Sequence, residues 1–190
     1  LVVRGREGKL EDRSVRDLPD LLKSGDILVA NDTRVIRAAL LGHRPSRGEG
    51  ADVEIEVNLN SRLSPDTWSA FARPGKRLKE GDTIVFAHGL TARVATKSEA
   101  EVHLAFSRSS ADLDAAIEAA GNMPIPPYIA SKRAADASDA SDYQTLFADK
   151  SGSVAAPTAG LHFTQDLLAR LAVAGVQRTS VTLHVNAGTF

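Results

Sequence analysis

Six short segments between Arg37 and Ser107, each cut off by turn residues, constrain the fold more than anything else in this chain. They read RAALLGHR, ADVEIEVN, TWSAFA, TIVFA, LTARVATK and EVHLAFS, with SRGEG, RPGKRLKEGD and HG among the connections. Gly, Pro and small polar residues supply the backbone geometry that such connections need. ADVEIEV alternates apolar and polar residues with a period of two, the signature of a strand with one dry and one wet face. So many short strands in about 70 residues would leave edges open unless the sheet closed on itself. A small six-stranded β-barrel over residues 37–107 is therefore expected.

The flanking segments read differently. Leu1 to Arg4 and Lys9 to Val15 flank a turn at Arg6 to Gly8 and predict a hairpin, followed by a short helix from Asp17 to Lys23 that ends at Gly25. Ile27 to Ala30 is an unbroken apolar run, which predicts a strand buried on both faces, as in an α/β layer. Ser109 to Ala120 has helical spacing, with Ser109 or Ser110 as cap and Leu113 and Ile117 on one face. The three prolines of NMPIPPYI then hold the chain extended, and Ala130 to Ser141 reads as a polar loop. A short helix over Tyr143 to Ala148, a longer one over Thr164 to Ala174 and a strand over Gln177 to Val185 complete the pattern. The expectation is an α/β (α+β) main domain, discontinuous over 1–36 and 108–190, with the barrel inserted at 37–107.

Composition narrows the class without naming a function. With 43% hydrophobic and 25% charged residues the 190-residue chain is an ordinary globular sequence, and its formal net charge of -1 gives no global basic excess. Any nucleic-acid contact must come from local patches. The absence of Cys removes disulfide scaffolds, thiolate catalysis and Cys-based zinc sites, and suits a reducing compartment, so a cytoplasmic location is expected. No apolar stretch is long enough to span a bilayer, so no membrane partner is expected. The chain lacks a starting Met and a polar tail, and it reads as a piece of a longer protein.

Four motifs carry candidate chemistry. In NDTRV, at the end of the Ile27 to Ala30 strand, Asn31 and Thr33 could cap or close a turn, Asp32 could bind ribose hydroxyls or act as a base, and Arg34 could grip a carboxylate or phosphate. The same letters also suit an Asx turn with a local Asp-Arg pair. MPIPPYI would present Met123 and Tyr128 from a stiff, solvent-facing segment suited to stacking on a base or a sulfonium, or simply pack on the core. In GSVAAPTAGLHFT a run of small residues leads to Gly160, His162 and Phe163 ahead of a helix cap; small residues permit close ligand approach and His162 could move a proton. In VTLHVNAGTF, His184 lies on the face opposite Leu183 and Val185. The two histidines lack companions at ligand spacing, so no metal is expected. Arg73, Lys76, Arg77 and Lys79 crowd one loop of the barrel region, with Arg44 and Arg47 in another, either as a phosphate-binding patch or as a solvated loop.

Taken together, NDTRVI, RPGKRLKEGD, MPIPPYI, DYQT and GSVAAPTAGLHFT with VTLHVNAGTF resemble, in order and spacing, the S-adenosylmethionine:tRNA ribosyltransferase-isomerase family of queuosine biosynthesis. The resemblance implies transfer and isomerisation of the ribosyl group of S-adenosylmethionine onto 7-aminomethyl-7-deazaguanine at the wobble position of tRNA. Adenine and methionine would leave, and epoxyqueuosine would form. It implies an α/β domain with a small barrel, S-adenosylmethionine as co-substrate and tRNA as partner; a monomer is expected. Carried onto this chain, proton transfer falls to His162 and His184, with Asp32 as the alternative base. Substrate contacts fall to Asn31, Thr33, Arg34, Met123, Tyr128, Thr158, Gly160, Phe163, Gly188 and Thr189. Contacts to tRNA fall to Arg73, Lys76, Arg77 and Lys79. Three positions depart from the family's usual pattern: Asn186 replaces Gly, Arg37 replaces Pro and Ala39 replaces Arg. The rival readings are a non-catalytic RNA-binding module and a transferase that uses a nucleotide without RNA.

Overall fold

A computed structural model of the chain describes residues 1–5, 8–125, 129 and 138–186. Strands β1 (Val2–Arg4) and β2 (Lys9–Glu11) form the expected antiparallel hairpin. A 3-10 turn at Val15–Asp17 leads into the single-turn helix α1 (Leu18–Leu21), and Ser14 and Asp17 cap the turn reciprocally. Strand β3 (Ile27–Asn31) follows, and after one residue the chain resumes as β4 (Thr33–Val35).

The barrel forms as its sequence predicts. Its strands are β5 (Ala39–Arg44), β6 (Val53–Arg62), β7 (Thr67–Arg73), β8 (Thr83–Phe86), β9 (Thr91–Lys97) and β10 (Val102–Phe106). They pair antiparallel in the order β5-β6-β7-β10-β9-β8, and Gly42 opposite Phe86 with His43 opposite Val85 closes the ring. The alternation in β6 is realised: Ile55, Val57 and Leu59 are buried inside, while Glu54, Glu56 and Asn58 face out. Gly42 is required at the seam, because a Cβ there would lie 2.6 Å from the Phe86 ring and 2.7 Å from the Val85 carbonyl oxygen.

Helix α2 (Ser110–Ala120) packs Leu113, Ala116 and Ile117 into the barrel's own core. Burying Leu113 and Ile117 there contributes roughly 1.5–3 kcal/mol for each side chain. Ser109 occupies the cap position with extended backbone but its side chain makes no capping bond; the Ser110 N–H instead donates to the Pro65 carbonyl (2.8 Å). The two-residue strand β11 (Gly121–Asn122) then adds to the edge of β5.

The remaining elements build the α/β part. They are the helical turn α3 (Asp139–Asp142), strand β12 (Lys150–Ser153), a 3-10 turn at Thr158–His162, helix α4 (Gln165–Val173) and strand β13 (Gln177–Val181). Thr164 caps α4 by accepting from the Leu167 N–H at 3.2 Å, as its position before the helix predicts. The helical turn expected over Tyr143 to Ala148 falls earlier, on α3, and Tyr143 terminates it. The strand expected to reach Val185 stops at Val181.

β3 pairs in parallel with β13, and β4 in parallel with β12. Asp32 is the junction: its N–H donates to the Val181 carbonyl, while its own carbonyl accepts from the N–H groups of Asp149 and Lys150. The polar NDTR segment is therefore a strand crossing between two pairings, not a free loop. The burial expected of β3 on both faces is corrected. Leu28 and Ala30 face inward, Leu28 against the cluster of Leu167, Leu171 and Val176, but Ile27 and Val29 are 59% and 60% exposed, because they point to the opposite face, where they join no core cluster among the described residues.

Candidate functional site

A cavity of about 820 Å³ opens where the barrel, α2 and the β4/β12 pair meet. One wall carries Arg34, Gly152 and His184, a second Asn60, Arg62 and Trp68 from the barrel, and a third Asp114 and Glu118 from α2. Arg34 reaches it by strand parity: Thr33 and Val35 on either side are buried, so the residue between them points the other way. Met123 also lines the cavity but is only 7% exposed and packs with Val35, Tyr143 and Ala156. This corrects the reading of Met123 as solvent-facing.

His184 is the most firmly positioned of the candidates. Its Nδ1 lies 2.8 Å from the hydroxyl of Thr33, which is completely buried. Either tautomer holds the ring through Nδ1 and leaves Nε2, which has no partner among the described residues, for another group. The imidazole lies against Gly152, where a Cβ would come within 2.7 to 2.9 Å of three ring atoms, and where φ of +146° further disfavours a side chain.

The segment carrying His184 is fastened on both sides. The Asn31 amide donates to the Leu183 carbonyl (2.9 Å) and accepts from the Leu183 N–H (3.0 Å). The Val185 N–H donates to the Ser153 hydroxyl (2.8 Å), which donates in turn to the Ala155 carbonyl (2.7 Å). Asn31 and Thr33 are thereby placed as supports for this segment. The small-residue run also serves packing: Val154, Ala155 and Ala156 are buried, and Val154 joins the barrel core.

Asp32 does not line the cavity. Its carboxylate accepts from the Thr182 hydroxyl at 2.6 Å. That bond, with a second from Ser180 and the field of Lys150, holds its pKa below the ordinary carboxylate value against the opposing effect of burial. A depressed folded pKa stabilises the fold above the unfolded value and loses that contribution as pH falls through the folded one. Thr182→Val weakens this linkage. Its unfolding midpoint in urea should therefore fall less steeply than the parent's as pH drops below about 4; parallel pH profiles would rule the bond out as the cause.

The second histidine lies elsewhere. His162 ends the exposed 3-10 turn and lines neither this cavity nor a smaller hollow of about 150 Å³ that includes Asn31, Phe147, Gly160 and Phe163. Phe147 and Phe163 meet edge to face there, centroids 5.2 Å apart. Gly160 seats the turn on Thr145, whose Cγ2 would be 2.8 Å from an added Cβ. Thr158 is exposed beside it. Tyr128, Gly188 and Thr189 lie outside the described residues.

Arg73, Lys76, Arg77 and Lys79 are all exposed, at the far end of β7 from Trp68. Arg73 lies five strand rises beyond Trp68, about 16 Å. Arg47 supports the loop by pairing with Asp82 and donating to the Arg77 carbonyl. Among the described residues no group of three or more His, Asp or Glu side chains is disposed to hold a metal, and no helix is long and apolar enough to cross a membrane.

The barrel and α2 residues on the cavity were not singled out from the sequence. Arg62 pairs with Asp114 and lies over the Trp68 ring, 4.9 Å from its centroid. Arg37, the residue standing in place of the usual Pro, pairs with Glu118 at 3.0 Å. Both pairs are partly exposed, so each stabilises the fold by only about 0–1 kcal/mol. The Trp68 indole N–H is buried and has no acceptor among the described residues; a buried donor left unpaired costs roughly 1–3 kcal/mol. The one available signal was composition, since Trp68 is the only tryptophan in the chain.

Fold and site thus define an α/β unit bearing a closed six-stranded antiparallel barrel, with a polar, charge-lined cavity at their junction. The chain belongs to the queuosine biosynthesis protein family, whose model matches residues 1–190. It is 60% identical over 186 residues to the S-adenosylmethionine:tRNA ribosyltransferase-isomerase of Maricaulis maris, covering 96% of this chain and 53% of that protein. It is 57% identical over 204 residues to the protein of the same name from Caulobacter sp., covering 100% of this chain and 54% of the relative. A crystal structure of S-adenosylmethionine tRNA ribosyltransferase from Thermotoga maritima is 28% identical and aligns with 90% of this chain and 44% of its own, at a TM-score of 0.37. The chain spans about half the length of the curated relatives it matches.

Proposed function

We propose that this chain forms one part of a cytoplasmic, monomeric S-adenosylmethionine:tRNA ribosyltransferase-isomerase. The enzyme moves the ribosyl group of S-adenosylmethionine onto 7-aminomethyl-7-deazaguanine in tRNA, using S-adenosylmethionine as co-substrate and no metal. The observation that carries this reading is the convergence of Arg34 and His184, from motifs 150 residues apart, on one cavity beside the barrel.

The chemistry needs a base for a carbon next to the sulfonium, an acid for departing adenine and a grip on charged groups. His184 Nε2 serves as the base, because Thr33 fixes the ring through Nδ1 and Gly152 lets it lie against β12. Arg34, exposed at the cavity and without an ion-pair partner among the described residues, holds an anion, either a carboxylate or a phosphate. Asp32 is the weaker candidate for base, since its carboxylate is already engaged by hydroxyls. The exposed cations Arg73, Lys76, Arg77 and Lys79 contact tRNA phosphates at the other end of the barrel.

The test is release of adenine by the complete protein from S-adenosylmethionine. Release that requires tRNA carrying the deazaguanine amine is the expected result. Tight tRNA binding with no adenine formed under any condition would instead favour a non-catalytic RNA-binding module, and release without tRNA a small-molecule transferase.

A further inference from the structure

We propose that the wall of the cavity formed jointly by the barrel and α2 receives a zwitterionic α-amino acid group, which on the reading above is the methionine end of S-adenosylmethionine. The wall carries two cations, Arg37 and Arg62, and two anions, Glu118 and Asp114. The carboxylates are four residues apart on α2 and so project from the same side, one turn above the other. A phosphate would meet two carboxylates here, and a simple polyamine two guanidinium groups. A group carrying an ammonium and a carboxylate on one carbon meets a counter-charge for each.

Trp68 supplies the independent observation. It is 3% exposed, lines this same cavity, and its indole N–H has no acceptor among the described residues. Arg62 stands directly over its ring. A ligand carboxylate drawn to Arg62 brings an acceptor to the neighbourhood of that donor, while the ammonium goes to Asp114 and Glu118. Because the two ion pairs are partly exposed, they exchange partners at little cost. The assignment leaves Arg34, on the opposite wall, for a phosphate.

The experiment compares two nucleosides by calorimetry on the complete protein: S-adenosylmethionine, and 5′-methylthioadenosine, which lacks the amino acid end. Trp68→Phe, which keeps an aromatic face beneath Arg62 and removes the five-membered ring with its N–H, should weaken S-adenosylmethionine about tenfold and leave methylthioadenosine unchanged. The Asp114→Asn/Glu118→Gln double variant, altered at exposed positions, should show the same selective loss. Equal losses for both nucleosides, or none for either, would overturn the site while leaving the proposed activity standing. A parent protein that binds neither nucleoside would remove the activity and this site together.

Discussion

Gly152→Ala should cut adenine release by the complete enzyme about 100-fold, the order expected when a catalytic group is displaced by about an ångström. The new methyl group cannot share space with the His184 ring, and the ring can retreat only by giving up its bond to Thr33. Backbone at φ +146° adds strain of about 1–3 kcal/mol, so some stability is lost as well. A double-mutant cycle separates the two effects. His184→Ala alone should lower the rate by roughly 10²- to 10⁴-fold, as loss of a general base does. In that background Gly152→Ala should cost nothing further in rate, because the ring it collides with is gone. Additive losses, or a Gly152→Ala enzyme at parental rate, would show that the contact does not position a reacting group. His162→Ala should have a far smaller effect than His184→Ala, since His162 lies outside the cavity.

The largest expected effect on stability is at Gly121, where the C-terminus of α2 meets the edge of β5. A Cβ there would overlap the Arg37 carbonyl oxygen and come within 2.9 Å of the Ile117 carbonyl. Both are backbone atoms held by pairing and helix geometry, so neither can move aside as a flexible side chain would. Gly121→Ala should therefore destabilise the fold by about 3 kcal/mol, the upper part of the range for overpacked sites. For a chain of this size that lowers the melting temperature by roughly 6–12 °C. An unchanged melting temperature would mean that the end of α2 separates from β5 at little cost.

The barrel was legible because its determinants are local. Alternation in ADVEIEV and turn residues between strands fix each element without reference to the others, and closure follows from the two edges an open sheet of these strands would expose. The α4 cap at Thr164 was legible for the same reason. What escaped was whatever depended on tertiary context. The apolar letters of Ile27 to Ala30 do not say whether one face of the strand or both will be covered. Thr33 reads as a turn residue until a histidine 151 positions away is seen to need its hydroxyl. Arg62 and Trp68 share no spacing with Asp114 and Glu118, because two barrel strands and a separate helix bring them together. Conversely, the small residues at Val154 to Ala156 resembled a ligand cradle, yet they let the chain pass between two cores.

The segment 182–186 is not part of either parallel ladder; one backbone bond, from the Val154 N–H to the Val185 carbonyl, holds it, and the side chains of Asn31, Thr33 and Ser153 hold the rest. A strand held by its neighbours' backbone can be released only by opening the sheet, whereas the three side-chain supports here can be removed one at a time. The aim of the imidazole is therefore set largely by side-chain atoms outside the ladders. Substitutions at the three supports can retune or silence the histidine while the surrounding architecture persists, so loss of activity in this protein need not announce itself as loss of structure.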